Sequence, residues 1–232
     1  MVEQGYTEDL KSSVRKDLQV RILPPLPSPI RSPADIDVTR RAAYSYLLGV
    51  YLGDGYICRT PRTYRLEISL HGRQEIAIAH VAGAIGALRP GRPVGFRRRG
   101  VVTVVNAYWN TWPILFPQHG AGRKHHRPIV LAPWQRPIVE QHPVEFLRGC
   151  IDSDGCRHRR IVAGRNYPAY SFTNHSLDIL GLFVWACGLI GLRPRRANRV
   201  TVSLARRTDV ARLDHLFGQP MGSSRIQALA RS

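Results

Sequence analysis

Two stretches a hundred residues apart finish alike, and that repetition constrains the fold more than any other feature. "YLLGVYLGDGYI" (46–57) is an apolar run ending on a lone acid, Asp54, before a glycine, and "EFLRGCIDSDGCR" (145–157) does the same at Asp154. The segments beyond the two acids match as well. After Asp54 come strand-like "YICRT" and "YRLEISL", a helical stretch from about Gln74, then "VVTVV" and "WPILF". After Asp154 come "CRHRRIV" and "YPAYSFTN", a helical stretch from Leu177, then "RVTVSLA" and "DHLFG". Asp54 to Asp154, Ile85 to Ile190 and Leu115 to Leu216 are each separated by 100 to 105 residues, too long for a solenoid period and suited to a duplicated small domain.

The first Asp-Gly segment reads as a helix from about Val38, with Asp37 or Thr39 as N-cap. Its last turns put Gly49 and Gly53 on one stripe, and Gly149 and Ser153 hold the same spacing in the second. Small residues four apart let two helix backbones approach closely. If the stripes pack together, Asp54 and Asp154 point into one small volume, where two carboxylates need a proton or a divalent cation between them. Hard oxygen ligands suit Mg²⁺. A left-handed glycine cap explains either Asp-Gly pair alone, but an acid at the negative end of a helix is unfavourable, and the placement is made twice.

Period-two alternation sorts the strands into faces. Leu66, Ile68 and Leu70 oppose Arg65, Glu67 and Ser69; Val200, Val202 and Leu204 oppose Arg199, Thr201 and Ser203. The second set of each, with loops "RTPRTYR" (Arg59, Arg62), "FRRRG" (Arg97, Arg98, Arg99) and "CRHRR" (Arg157, Arg159, Arg160), and with Ser171, Thr173 and Asn174, forms a polar basic surface. Such a surface suits DNA: cations for phosphates, and Arg, Ser, Thr and Asn for base edges. Lys+Arg 34 against Asp+Glu 16 leaves a net +18, and an excess of this size favours a polyanionic partner. A magnesium site beneath two such surfaces is the arrangement for cutting phosphodiesters. Cys58, Cys150, Cys156 and Cys187 show no zinc spacing, and no Ser-His-Asp or Cys-His signature is present. Without a membrane span or a signal core, a cytoplasmic protein of 232 residues is expected.

"LLGVYLGDG" (47–55) and "LRGCIDSDG" (147–155) resemble the two copies of the motif that names the LAGLIDADG homing endonucleases, and the resemblance runs from residue 38 to about 218. The first copy departs from the pattern at Leu52, where the family often has an earlier acid. The resemblance implies an α+β monomer of two αββαββα subdomains related by a pseudo-twofold axis, whose antiparallel sheets form a saddle on the major groove of double-stranded DNA. It implies cleavage of both strands at a long asymmetric site with two or three Mg²⁺ ions. By the motif match, Asp54 and Asp154 are the metal ligands, assisted by backbone carbonyls of Gly53 and Ser153. Enzymes of the family add a lysine near the metals, and among Lys11, Lys16 and Lys124 the choice falls on Lys124, since arginine cannot give up a proton as lysine can. The second half has no lysine, so Arg206 or Arg207 is the substitute, or the two sites are unequal and one strand is nicked. His125 and His126 are acid, base or phosphate contacts, and Ser69 and Asn174, at matching strand ends, are candidates for positioning water. Two other functions share the fold: a DNA-binding regulator without catalysis, and an RNA-splicing maturase.

The expected organisation is therefore 1–36 disordered, 37–118 and 143–218 as the two subdomains, 119–142 as linker and 219–232 as a flexible tail. "LPPLPSPIRSP" marks the proline-rich end of the first segment. Before it, "EDLKSS" can be written in codons that fold like the anticodon arm of a serine tRNA, and "QVRIL" in codons resembling a T arm, with Pro27 as the terminal CCA. The working protein is then expected to begin downstream, beside a tRNA gene, a usual address for mobile elements. The DNA encoding residues 8–27 tests this.

Overall fold

Asp37 opens the central helix by capping it: its Oδ1 accepts the amides of Thr39 at 2.9 Å and Arg40 at 3.1 Å. The computed structural model describes residues 30–218. In chain order the elements are α1 (Val38–Asp54), β1 (Gly55–Arg59), β2 (Tyr64–His71), α2 (Glu75–Leu88), β3 (Gly95–Arg99), β4 (Val102–Tyr108), α3 (Trp112–Leu115), α4 (Gln135–Gln141), α5 (Pro143–Asp154), β5 (Gly155–Val162), β6 (Arg165–Thr173), α6 (Leu177–Leu189), β7 (Arg195–Arg196), β8 (Thr201–Leu204) and α7 (Arg207–Gly218). The two sheets share one antiparallel order, β1-β2-β4-β3 and β5-β6-β8-β7. This is the duplicated α+β architecture expected from the repeat.

The centre is the contact between α1 and α5. Both helices are buried along most of their length: Leu47, Leu48, Val50 and Leu52 on one, and Phe146, Leu147 and Cys150 on the other, with the charged Arg40, Glu145 and Arg148 enclosed among them. The small-residue stripes meet as expected. A Cβ on Gly49 would overlap the carbonyl oxygen of Phe146, and one on Gly149 would overlap that of Tyr46 and lie 2.8 Å from the amide nitrogen of Val50. Gly53 faces the Ser153 side chain. The helix sides of the sheets complete the core with Ile57, Leu66, Ile68 and Leu70 in one half and Phe172, Val202 and Leu204 in the other.

The glycines after the acids are not left-handed caps. Gly55 (φ −86°, ψ 146°) and Gly155 (φ −110°, ψ 170°) are already extended, and each strand begins on the residue after its aspartate. Close approach requires glycine there, because a Cβ would come within 2.6 Å of the Cα of Tyr51 or Ile151.

Three expectations are corrected. "FRRRG" and "CRHRR" are not loops: they supply β3 and the start of β5, paired in regular register with β4 and β6. The span between the halves is not plain linker either, since it contains α4 and a 3₁₀ turn at Lys124–His126. At the other end, Ile30 and Ile36 are each 1% exposed and Thr111 Oγ1 donates to the Ile30 carbonyl at 3.3 Å, so the segment 30–36 is anchored to the core at both its ends rather than being disordered, with a 3₁₀ turn at Pro33–Asp35 between them. The expectations for residues 1–29 and 219–232 lie outside the described residues.

Candidate active site

The helix-to-strand turns at Asp54 and Asp154 open onto one cleft of about 470 Å³, lined by Gly53, Lys124, His125, Asp154, Asn174 and His175 among others. The two acids feel each other. Burial, and then the charge of Asp154, push the Asp54 carboxyl up to about 7, against the pull of Lys124. Asp154 is also raised by burial, and is held back by the amide of Asn174, whose Nδ2 donates to Asp154 Oδ2 at 2.6 Å, and by Lys124.

Lys124 comes from the segment between the halves, where its 3₁₀ turn aims the side chain at the end of α1. Its ammonium donates to the carbonyl oxygens of Tyr51, of Gly53 at 3.1 Å and of Gly55 at 2.7 Å, and lies 4.7 Å from the Tyr51 ring centroid. Carbonyls at a helix C-terminus lack partners within the helix and carry partial negative charge, so a cation is suited to them. Burial lowers its pKa to about 8, opposed by the attraction of Asp154 and Asp54.

The two acids are not equivalent. Gly55 pairs with Ile68 and Gly155 with Phe172, so the counterpart of Asn174 is Leu70, which is buried in the core. Ser69 therefore does not match Asn174, and it stands on the outer face opposite Val104. Arg206 lines a groove over the second sheet, away from the acids' cleft, and Arg207 begins α7. His125 stacks edge-on with His126 at 4.2 Å and lies 5.6 Å from His175 between ring centroids, which gathers three imidazoles near the cleft.

Sequence reasoning missed Asp152. It accepts the Tyr46 hydroxyl at 2.8 Å, lies 3.6 Å from His80 Nδ1, and its carbonyl accepts Gln74 Nε2 at 3.1 Å. It thereby ties α5 to the first half. The signal was present: its counterpart in the first motif is Leu52, which is fully buried.

Strand register divides the expected DNA surface in two. Arg65, Glu67, Ser69, Arg97 and Arg99 share the outer face of the first sheet. Arg160, Ser171, Thr173, Thr201 and Ser203 share that of the second, where the Thr173 and Thr201 hydroxyls are 3.0 Å apart. Arg62 lies in the β1–β2 turn and Arg199 in the bend before β8. Four arginines are corrected to the other side. Arg98 alternates with Arg97 and falls on the face of Val105 through Phe96; Arg59 shares the parity of buried Ile57. Arg157 pairs with Asp214 of α7 through two hydrogen bonds of 2.8 Å, with Tyr170 donating to the same carboxylate, and Arg159 shares its parity.

Asp154 lines the cleft and Asp54 sits between its lining glycines Gly53 and Gly55; among the described residues no group of three or more His, Cys, Asp or Glu is placed to hold a metal ion. The oxygen donors are the two carboxylates and backbone carbonyls, all hard, and burial followed by the charge of Asp154 holds Asp54 above its ordinary value. These residues fit Mg²⁺ or a similar divalent ion.

Acid-ended helices packed on a small-residue seam, each followed by a four-stranded sheet of the same order, define the LAGLIDADG fold. Among solved structures the chain is similar to full-length DUF199/WhiA from Thermatoga maritima (14% identity, TM-score 0.51, covering 79% of this chain and 57% of that one). It is also similar to I-DmoI in complex with DNA and Mn (12% identity, TM-score 0.52, covering 78% and 99%) and to mesophilic variants of the homing endonuclease I-DmoI (13% identity, TM-score 0.52, covering 76% and 96%). The chain thus spans little more than half of the WhiA chain and nearly all of I-DmoI. No protein-family model matches the chain, and no curated protein matches it in sequence. Among the described residues no helix is long and apolar enough to cross a membrane.

Proposed function

We propose that the protein is a site-specific, Mg²⁺-dependent endonuclease of double-stranded DNA. The observation that carries this reading is that Asp54, at the end of one helix, feels the charges of Asp154, at the end of the other, and of Lys124, where Asp154, Lys124 and the two glycines flanking Asp54 line one cleft. Two packing acids would gain nothing from a shared, desolvated position; two metal-holding acids require it. The similarity to I-DmoI, solved with DNA and Mn, supports the reading.

In this function Asp54 and Asp154 hold the divalent ions, with the carbonyls of Gly53 and Ser153 beside them. When bound, the metal supplies an activated water and charge stabilisation at the leaving oxygen. Asn174 orients Asp154 through its 2.6 Å hydrogen bond and counters the burial that raises its pKa. Lys124, with its pKa near 8, carries a proton that can be shared near neutral pH, and its charge faces the phosphate that enters the cleft. Because Asn174 serves only one acid and the hydrogen bonds of Lys124 all fall at the first helix end, the two strands are cut at unequal rates.

The test is incubation of the full chain, with Mg²⁺ or with chelator, on plasmid carrying the uninterrupted chromosomal locus, beside Asp54→Asn and Asp154→Asn. Magnesium-dependent nicking followed by linearisation, lost in both variants, is the expected result. Salt-sensitive binding without cutting under any divalent metal refutes the nuclease in favour of a regulator. Preference for structured intron RNA points to a maturase.

A further inference from the structure

The two outer sheet faces share one strand order and carry opposite charge designs. On the first, Glu67 Oε1 pairs with Arg65 Nε at 3.0 Å and with Arg97 at 2.6 Å. Arg65 is fixed further by Tyr108, to whose hydroxyl its NH1 donates at 3.3 Å. The cross-strand partner of Glu67 is Asn106, and Gly95 makes room for it: a Cβ there would lie 2.8 Å from the Asn106 side-chain oxygen. The Glu67 side chain is only 13% exposed. One carboxylate thus holds two guanidiniums in fixed positions and cancels part of their charge.

On the second face, a groove of about 750 Å³ is lined by Arg160, Arg193, Arg195 and Arg206 together with hydroxyls of Ser171 and Ser203, and among the described residues no acid lines it. The acids of α7 are engaged elsewhere: Asp209 accepts the Arg193 backbone amide at 3.1 Å, and Asp214 pairs with Arg157. These cations are uncompensated.

Arginines held by an acid are poor at following phosphates and good at presenting a planar fork to guanine O6 and N7, while the carboxylate can accept from cytosine N4. Uncompensated arginines are free to follow phosphates and displace counterions from the DNA backbone, a grip that by itself carries no sequence information. We propose that the halves divide the work: the Arg65–Glu67–Arg97 group specifies bases in one half-site, and the second sheet supplies most of the salt-dependent grip on the other. This rests on the DNA-binding reading above.

The experiment is selection from a pool of randomised DNA duplexes by the full chain in chelator, followed by affinity measurements over a range of salt. Glu67→Gln should broaden base preference in one half-site, losing roughly tenfold or more in discrimination there, with the salt slope unchanged. Removing Arg160, Arg195 and Arg206 together should flatten the slope of log K against log salt by about two to three units and keep the consensus. Arg65→Lys, which preserves charge, repeats the specificity test should Glu67→Gln fold poorly. An unchanged consensus in both first-sheet variants overturns the proposal, as does an equal loss of slope from Arg65→Ala with Arg97→Ala. No enrichment by the unaltered protein overturns the DNA-binding reading itself.

Discussion

Asp54→Asn is expected to destroy cleavage and to stabilise the metal-free protein, more at about pH 8 than at about pH 5. The folded carboxyl titrates at about 7 against an ordinary value of 3.8, so the folded state holds the proton more tightly than the unfolded chain. Below the unfolded value both states are protonated and no penalty exists; as pH rises, the unfolded chain ionises first and stability falls, until the penalty is complete above about 7. A shift of that size corresponds to about 4 kcal/mol when complete. That shift already includes the pull of Lys124; solvent screening of a carboxyl that is not fully buried reduces the gain to roughly 1–3 kcal/mol, or about 2–10 °C in melting temperature for a chain of this size. Thermal unfolding of both proteins in chelator checks this. Added Mg²⁺ should stabilise the unaltered protein more than the variant, by replacing the proton between the acids. A gain no larger at about pH 8 than at about pH 5 refutes the reasoning that burial and Asp154 strain the Asp54 charge.

Gly149→Val should cost about 3 kcal/mol or more, because its Cβ would enter the Tyr46 carbonyl in the helix seam; denaturant unfolding checks it, and near-normal stability would mean the helices do not pack so closely. Lys124→Met should lower the cutting rate by roughly a hundredfold or more while leaving DNA affinity within about twofold, as read by single-turnover kinetics and by binding in chelator. Arg157→Ala should leave the salt slope of DNA binding unaltered, since that side chain faces Asp214 rather than the outer surface; a slope reduced by about one unit would put it back among the phosphate contacts.

Residue type and spacing alone determined the duplication, the core faces of β2 and β8, the Gly49, Gly53, Gly149 and Ser153 seam, and the pairing of the two acids. These are legible because helix and strand periods are local and because the chain repeats them. What needed the tertiary structure was whatever depends on which strands are neighbours. Arg97 and Arg98 are adjacent in sequence, yet only the register of β3 on β4 turns one toward Glu67 and the other to the opposite side. Arg157 looked like a phosphate contact until α7 brought Asp214 beside it. Asn174 and Leu70 occupy matching positions, but one chain leaves the sheet where the other continues, so only one amide reaches an acid. Lys124 lies about seventy residues from the carbonyls it caps, a distance that no local pattern encodes and that packing alone closes.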